Sequence, residues 1–191
     1  MRVADVFKDL PTLQTERLTL RKLQPDDLKS LFEYGSHPEV TRFTTWDSYE
    51  SISSAKEFLG NVIARYESRR EAPWGISLQT NDKLIGTCGF DDWSIRHSRS
   101  EISYALGQPY WGNGYMTEAL KRILSFGYDV MRLNRIDARC VLENVRSENV
   151  MKKLGMVHEG TLRQHMFMKG KYFDVRVYAM LRQDWDPHKM I

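Results

Sequence analysis

The sequence predicts a mixed α/β fold in which about seven strands form one central sheet and about four helices cover it. Segments of strictly alternating apolar and polar residues recur along the chain, and segments with apolar residues at helical spacing separate them. In the middle of the chain these segments follow the order strand, helix, strand, helix, which requires a crossover and therefore a parallel pair of strands. The flanking strands follow each other directly, as in hairpins, and this argues against a doubly wound parallel sheet.

The N-terminal half is predicted to contain one strand, two helices and a hairpin. Leu18 and Leu20 fall on one face of an alternating segment, which predicts the first strand. Pro25 suits the first turn of a helix, and Gly35 suits its end. The predicted elements are a strand over 16–23, helices over 24–35 and 51–70, a loop over 36–50, and hairpin strands over 73–80 and 83–93.

The C-terminal half is predicted to contain the parallel pair, formed by the fourth and fifth strands. A helix beginning near Met116 connects them, and Asn144 and Gly155 are a candidate N-cap and C-terminal glycine for the last helix. The predicted strands are 100–108, 134–142, 156–168 and 171–181, and the predicted helices are 116–128 and 144–155.

Composition sets the broad class of protein. A length of 191 residues predicts a single domain over 1–191. The net charge is +3 with basic and acidic residues interleaved, which is not typical of a nucleic-acid-binding protein. No apolar run is long enough to span a membrane. Cys88 and Cys140 lie in apolar alternating runs, which predicts buried, reduced thiols and a cytoplasmic protein. Neither CxxC nor a histidine cluster is present, so we expect no metal site.

Two glycines precede the helix that connects the parallel strands, in "PYWGNGYMTEA" over 109–119. A helix N-terminus presents unpaired backbone N–H groups and a partial positive charge, and residues without a Cβ let a phosphate approach it. The segment lacks the Lys-Ser/Thr of a P-loop and the third glycine of a dinucleotide fingerprint. Gly112 and Gly114 therefore predict either a phosphate site of another kind or a tight turn.

The segments "YWGNGYMTEAL" and "ENVRSENVMKKLGMVHEGTLR" resemble the GNAT superfamily of acetyl-CoA-dependent N-acetyltransferases. They are similar to its RimJ/RimL-like branch, the ribosomal-protein N-terminal alanine acetyltransferases. The resemblance extends from "TERLTLRKLQPDD" to "YAMLRQDW". One departure is Pro109, which stands where the superfamily signature has Gln or Arg.

The resemblance implies the GNAT fold, with acetyl-CoA as co-substrate and no metal. The parallel fourth and fifth strands, "EISYAL" and "RIDARCV", would splay apart. The pantetheine arm would enter the gap, and the pyrophosphate would rest on N–H groups at the start of the connecting helix. The implied cofactor-binding residues are Tyr104, Ala105, Leu106, Trp111, Gly112, Asn113, Gly114, Tyr115, Met116, Asn144 and Ser147.

The resemblance also suggests catalytic roles. Ser147 would donate a hydrogen bond or a proton to the departing sulfur of coenzyme A, and Glu101 is the candidate base; for each, a solvated polar side chain is the alternative. Met166 replaces a Glu that is present in some relatives and cannot accept a proton. A backbone N–H near Leu106 would stabilise the oxyanion. Neither cysteine is placed as a nucleophile, so we expect direct attack by the amine.

The acceptor is the least determined part of the prediction. The resemblance implies a protein N-terminus bearing alanine or serine, as in a ribosomal protein. An α-amino group also loses its proton more readily than a lysine does. A polyamine or an antibiotic amine is the alternative, and a non-catalytic acyl-CoA sensor is another. Phe43 and Trp46 are candidates for lining the acceptor channel, and a role in the core or in a surface contact is the alternative. Exposed edge strands leave both a monomer and a homodimer open.

Overall fold

A computed structural model of the chain describes residues 3–186, and side chains from residue 5 onward. In these residues eight strands form one sheet in the order β1-β2-β3-β4-β5-β6-β8-β7. The strands are Leu13–Gln14 (β1), Leu18–Arg21 (β2), Trp74–Leu78 (β3), Leu84–Ser94 (β4), Arg99–Leu106 (β5), Arg135–Val141 (β6), Val157–Met168 (β7) and Lys171–Leu181 (β8). The helices are Val3–Val6 (α1), Leu28–Gly35 (α2), Pro38–Thr41 (α3), Ile52–Glu67 (α4), Tyr115–Asp129 (α5) and Val145–Lys153 (α6).

Strands β5 and β6 form the parallel pair, and all other neighbouring strands are antiparallel. Their pairing is limited to three residue pairs, Arg99 with Arg135, Ser100 with Ile136, and Glu101 with Asp137. Beyond Glu101 the two strands are no longer paired. The prediction of a mixed sheet with a splayed parallel pair is therefore confirmed.

Helices cover both faces of the sheet. Helices α5 and α6 share one apolar core with Ile102 and Leu106 of β5 and with Ile136 and Ala138 of β6. Helices α2 and α4 share a second core, against which Ala105 packs. Because successive side chains of a strand point to opposite faces, β5 contributes to both cores.

Two short elements differ from the prediction. The segment predicted as a loop over 36–50 begins with the single turn α3, in which Pro38 occupies the first turn and the His37 ring accepts a hydrogen bond from the Glu39 N–H at 3.3 Å. Strand β1 has only two residues, too few to show alternation in the sequence. Within residues 3–186, no helix combines the length and the apolar character that crossing a membrane requires.

Candidate active site

The loop before α5 carries the two glycines in a left-handed conformation. Gly112 has φ +80° and Gly114, the N-cap of α5, has φ +79°. L-residues adopt this region at a cost, which explains why glycine occupies both positions. A Cβ built on Gly112 would have no atom within 4 Å, so the space above this backbone is open. The loop therefore forms a cradle that a bulky anion can approach closely.

The first turn of α5 supplies free donors to this cradle. The first intrahelical hydrogen bond runs from the Glu118 N–H to the Gly114 carbonyl at 3.0 Å, so the N–H groups of 115–117 have no partner within the helix. Trp111, predicted among the donors, instead gives its N–H to the Gln108 carbonyl at 3.1 Å. The Trp111 N–H is therefore already bonded within the loop, and the other predicted phosphate-binding residues stay a prediction.

The backbone of β5 presents alternate residues to the gap between β5 and β6. The Gly107 N–H donates to the Ile85 carbonyl of β4 at 2.8 Å. Because backbone groups alternate in direction along a strand, Ala105 also faces β4, whereas Tyr104 and Leu106 face the gap. The Leu106 carbonyl accepts a hydrogen bond from Trp111 Nε1 at 2.8 Å. The prediction that Ala105 pairs with the cofactor through its backbone therefore does not fit this geometry.

Helix α6 brings Ser147 to the opposite side of the gap. Asn144 caps the helix, since its Oδ1 accepts a hydrogen bond from the Ser147 N–H at 3.2 Å. The Ser147 Oγ lies 2.7 Å from the hydroxyl of Tyr104. Burial raises the pKa of Tyr104, so this hydroxyl remains neutral. If the Tyr104 hydroxyl donates the hydrogen bond to Ser147 Oγ, the Ser147 O–H is free to bond a third group.

The first turn of α6 is also anchored to β8, an arrangement that was not predicted from the sequence. The buried Glu148 carboxylate accepts a hydrogen bond from Tyr178 at 2.7 Å and pairs with Arg176. Lys152 lies 2.8 Å from the same carboxylate. Hydrogen bonds from Lys152 and Tyr178 hold the pKa of Glu148 below its ordinary value, against a smaller effect of burial. This anchor fixes the helix turn that carries Ser147. In the sequence, this anchor is indicated only by the four-residue spacing of Glu148 and Lys152, which suits an ion pair along a helix.

Glu101 lies where the strands begin to diverge, but not on the same face of the sheet as Ser147. It belongs to the last residue pair between β5 and β6, and its carboxylate lies 3.2 Å from Arg139 Nε. Burial raises the pKa of Glu101, while Arg139 opposes this shift. Alternation along β5 places Glu101 on the α2/α4 face and Tyr104 on the α6 face. The two predicted catalytic residues therefore approach the gap from opposite faces of the sheet.

A cavity of about 210 Å³ lies on the α2/α4 face. Trp46 lines it and stacks on Tyr49 with ring centroids 5.4 Å apart. The other lining residues are Tyr34, Phe58, Arg65, Pro73, Thr87, Cys88, Gly89, Phe90, Asp91, Ser103, Tyr104 and Ala105. The cavity combines aromatic walls with one acidic and one basic lining residue, Asp91 and Arg65.

Phe43, predicted to line the same channel, packs elsewhere. It contacts the apolar cluster that contains Val141 and Phe173, and Met166 packs on that cluster as well. Lys169, at the tip of the β7–β8 hairpin, donates a hydrogen bond to the Thr41 carbonyl and so holds the segment that carries Phe43. Met166 therefore packs in the same apolar cluster as Phe43.

Neither cysteine has the environment of a nucleophile. Cys88 and Cys140 are both buried free thiols, and burial raises the pKa of each, to about 11 for Cys140. A thiolate at neutral pH would require a shift in the opposite direction.

We therefore expect Cys140→Ala to keep kcat within about threefold of the wild type, measured by thiol release from acetyl-CoA. A loss of turnover in this variant would instead favour an acyl-cysteine intermediate.

Comparison with known proteins identifies the family. The family described as "Acetyltransferase (GNAT) domain" matches residues 17–157, most of the chain. The protein belongs to the GNAT acetyltransferase family. A relative from Bacillus subtilis (strain 168), "Uncharacterized N-acetyltransferase YoaA", is 34% identical to this GNAT enzyme over 172 residues, which cover 90% of this chain and 97% of that protein.

Two similar solved structures share the GNAT fold and contain coenzyme A. The first is "RimL- Ribosomal L7/L12 alpha-N-protein acetyltransferase in complex with Coenzyme A", with TM-score 0.80 and 18% identity, covering 92% of this chain and 100% of that one. The second is spermidine N-acetyltransferase from Vibrio cholerae with CoA and spermine, with TM-score 0.74 and 22% identity, covering 87% of this chain and 96% of that one. This GNAT protein is an acetyl-CoA-dependent N-acetyltransferase. In its described residues, no group of three or more His, Cys, Asp or Glu side chains is placed to hold a metal ion.

Proposed function

We propose that this GNAT enzyme acetylates the α-amino group of a protein N-terminus that begins with alanine or serine, and that a cytoplasmic ribosomal protein is the natural acceptor. The observation that carries the proposal is the environment of Glu101. Its carboxylate forms an ion pair with Arg139, with Oε2 at 3.2 Å from Nε. Burial raises the pKa of this carboxylate, yet it remains a much weaker base than an amine. At pH 7, removing the proton from an α-amine costs about 1.4 kcal/mol, whereas removing it from a lysine costs about 4.6 kcal/mol. A weak base therefore suffices for an N-terminus.

The proposed reaction uses groups from both faces of the sheet. Acetyl-CoA supplies an activated acetyl thioester. Glu101 accepts the proton of the attacking amine, directly or through water. The Leu106 N–H, which faces the gap, donates a hydrogen bond to the carbonyl oxygen as its negative charge develops. As the new C–N bond replaces the C–S bond, Ser147 Oγ donates its hydrogen bond to the departing sulfur. A thiol with a pKa near 8.5 needs only modest help of this kind.

A second candidate acceptor is a small polyamine. The stacked rings of Trp46 and Tyr49 form the kind of aromatic surface that attracts an organic cation, and the charges of Asp91 and Arg65 in the same cavity oppose each other. The similarity to the spermidine N-acetyltransferase structure gives this candidate its other support.

A panel of acceptors tests the proposal. Thiol release from acetyl-CoA would be measured with peptides starting in alanine or serine, the same peptides blocked at the N-terminus but containing lysine, spermidine, and an aminoglycoside. We expect kcat/KM to be at least tenfold higher for the free N-termini than for any other acceptor. A preference for spermidine would overturn the N-terminal assignment, and no thiol release with any acceptor would favour an acyl-CoA sensor.

The pH dependence tests Glu101. Because burial raises its pKa, Glu101 ionises at a higher pH than an ordinary glutamate, and a base acts only when ionised. We expect kcat/KM to rise with pH through this ionisation and again through that of the amine near pH 8. Glu101→Gln should remove the first rise and lower kcat about 10²-fold, with KM for acetyl-CoA unchanged. If Glu101→Gln still shows the first rise of kcat/KM with pH, Glu101 is not the base.

A further inference from the structure

The turn between β1 and β2 reaches across to the loop that begins α5. The Arg17 Nη1 donates a hydrogen bond to the Asn113 carbonyl at 3.0 Å, and its Nε donates to the Glu118 carboxylate at 2.7 Å. Its guanidinium carbon lies 4.5 Å from the centre of the Tyr115 ring. A Cβ built on Gly114 would lie 3.5 Å from its Nη2. One side chain from the N-terminal hairpin thus touches the whole start of α5.

Glu118 is the second half of this contact. Its carboxylate also accepts hydrogen bonds from the Thr15 hydroxyl at 2.6 Å and from the backbone N–H of Arg17 at 2.8 Å. Burial works to raise the pKa of Glu118, but the bonds from Thr15 and Arg17 outweigh it and hold the pKa below its ordinary value. The carboxylate is therefore ionised, and Arg17 balances its charge in the turn where the co-substrate's phosphates must bind.

The bond to Asn113 also sets the direction of a donor. The carbonyl of Asn113 and the N–H of Gly114 belong to one planar peptide unit and point in opposite directions. With the carbonyl held toward Arg17, the Gly114 N–H points away from Arg17. The orientation of this peptide unit therefore depends on a residue 96 positions earlier in the chain.

We propose that Arg17 is a positioning residue for acetyl-CoA, which orients the Asn113–Gly114 peptide unit toward the pyrophosphate and neutralises Glu118 beside it. Its contribution is to binding rather than to chemistry, because it lies at the phosphate end of the site and not at Glu101 or Ser147. The proposal requires only that the enzyme uses acetyl-CoA. It is independent of which amine is the acceptor.

Calorimetry with coenzyme A and steady-state kinetics with any working amine test the proposal. We expect Arg17→Ala to raise the Kd for coenzyme A and the KM for acetyl-CoA about 10- to 30-fold, with kcat within threefold of the wild type. Arg17→Lys should recover little of the lost affinity for coenzyme A, because an ammonium cannot bond the Glu118 carboxylate and the Asn113 carbonyl with the geometry of a guanidinium. The double variant Arg17→Ala/Glu118→Gln should bind more tightly than Arg17→Ala, because the unbalanced carboxylate is gone.

Arg96→Ala is the matched control, since Arg96 is an exposed arginine in the loop between β4 and β5 and should leave all constants unchanged. Thermal unfolding of each variant reports whether it is folded. If Arg17→Ala is unfolded, Arg17→Lys supplies the same measurement. A Kd within twofold of the wild type in the folded variant, or a fall in kcat with unchanged KM, would overturn the proposal.

Discussion

Gly112→Ala is expected to weaken coenzyme A binding at least tenfold while costing only about 1–2 kcal/mol of folding stability. The stability cost arises from the backbone, since φ is +80° at this position. The new methyl group meets no protein atom within 4 Å, so it creates no clash inside the protein. It does project into the open space that a diphosphate must enter. Calorimetry with coenzyme A and thermal unfolding measure the two effects separately.

Gly170→Ala is the matched control for this variant. Gly170 has φ +79° and also has no atom within 4 Å of a Cβ position, but it lies in the turn between β7 and β8. The Gly170→Ala variant should lose about as much folding stability as Gly112→Ala and keep its affinity for coenzyme A. If both variants lose affinity equally, the loss at Gly112 would be a general effect of backbone strain. The proposal that the diphosphate binds at Gly112 would then be wrong.

Ser147→Ala is expected to lower kcat about 10²-fold without changing the Kd for coenzyme A. The reason is that its hydroxyl would assist the departing sulfur, whereas the helix cap at this point is made by the Ser147 backbone N–H and survives the change. Single-turnover rates and calorimetry provide the two measurements.

Tyr104→Phe serves as the companion variant. It removes the hydroxyl that lies 2.7 Å from Ser147 Oγ and should cost less, about three- to tenfold in kcat, because Ser147 remains but is no longer oriented. A Ser147→Ala enzyme with normal kcat, or one that loses coenzyme affinity in parallel, would show that the hydroxyl is structural.

The parallel pair and the flanking hairpins could be predicted because they depend on local periodicity. The left-handed glycines at 112 and 114 and the Asn144 cap could also be predicted, since backbone conformation and capping depend on neighbouring residues. The local backbone geometry at the start of α5 and of α6 therefore follows from short stretches of sequence.

Contacts between distant segments could not be predicted in this way. Tyr104 and Ser147 are 43 residues apart, and Arg17 and Glu118 are 101 apart. Alternation predicts which face Tyr104 occupies but not which helix residue it meets. Phe43 was placed in the acceptor channel by its residue type, yet its position is decided by the β7–β8 hairpin that holds the preceding segment.

The divergence of β5 from β6 after three residue pairs creates a strand edge in the interior of a sheet. Helices α5 and α6 close one broad side of this edge, and α2 and α4 close the other. The unpaired backbone of β5 along this edge can bond an arm that lies lengthwise beside it. If that arm lacks amides, the backbone groups of Tyr104 that face it stay unbonded, at about 1–3 kcal/mol for each group. The enzyme should therefore select among acyl carriers by the spacing of the polar groups along the arm.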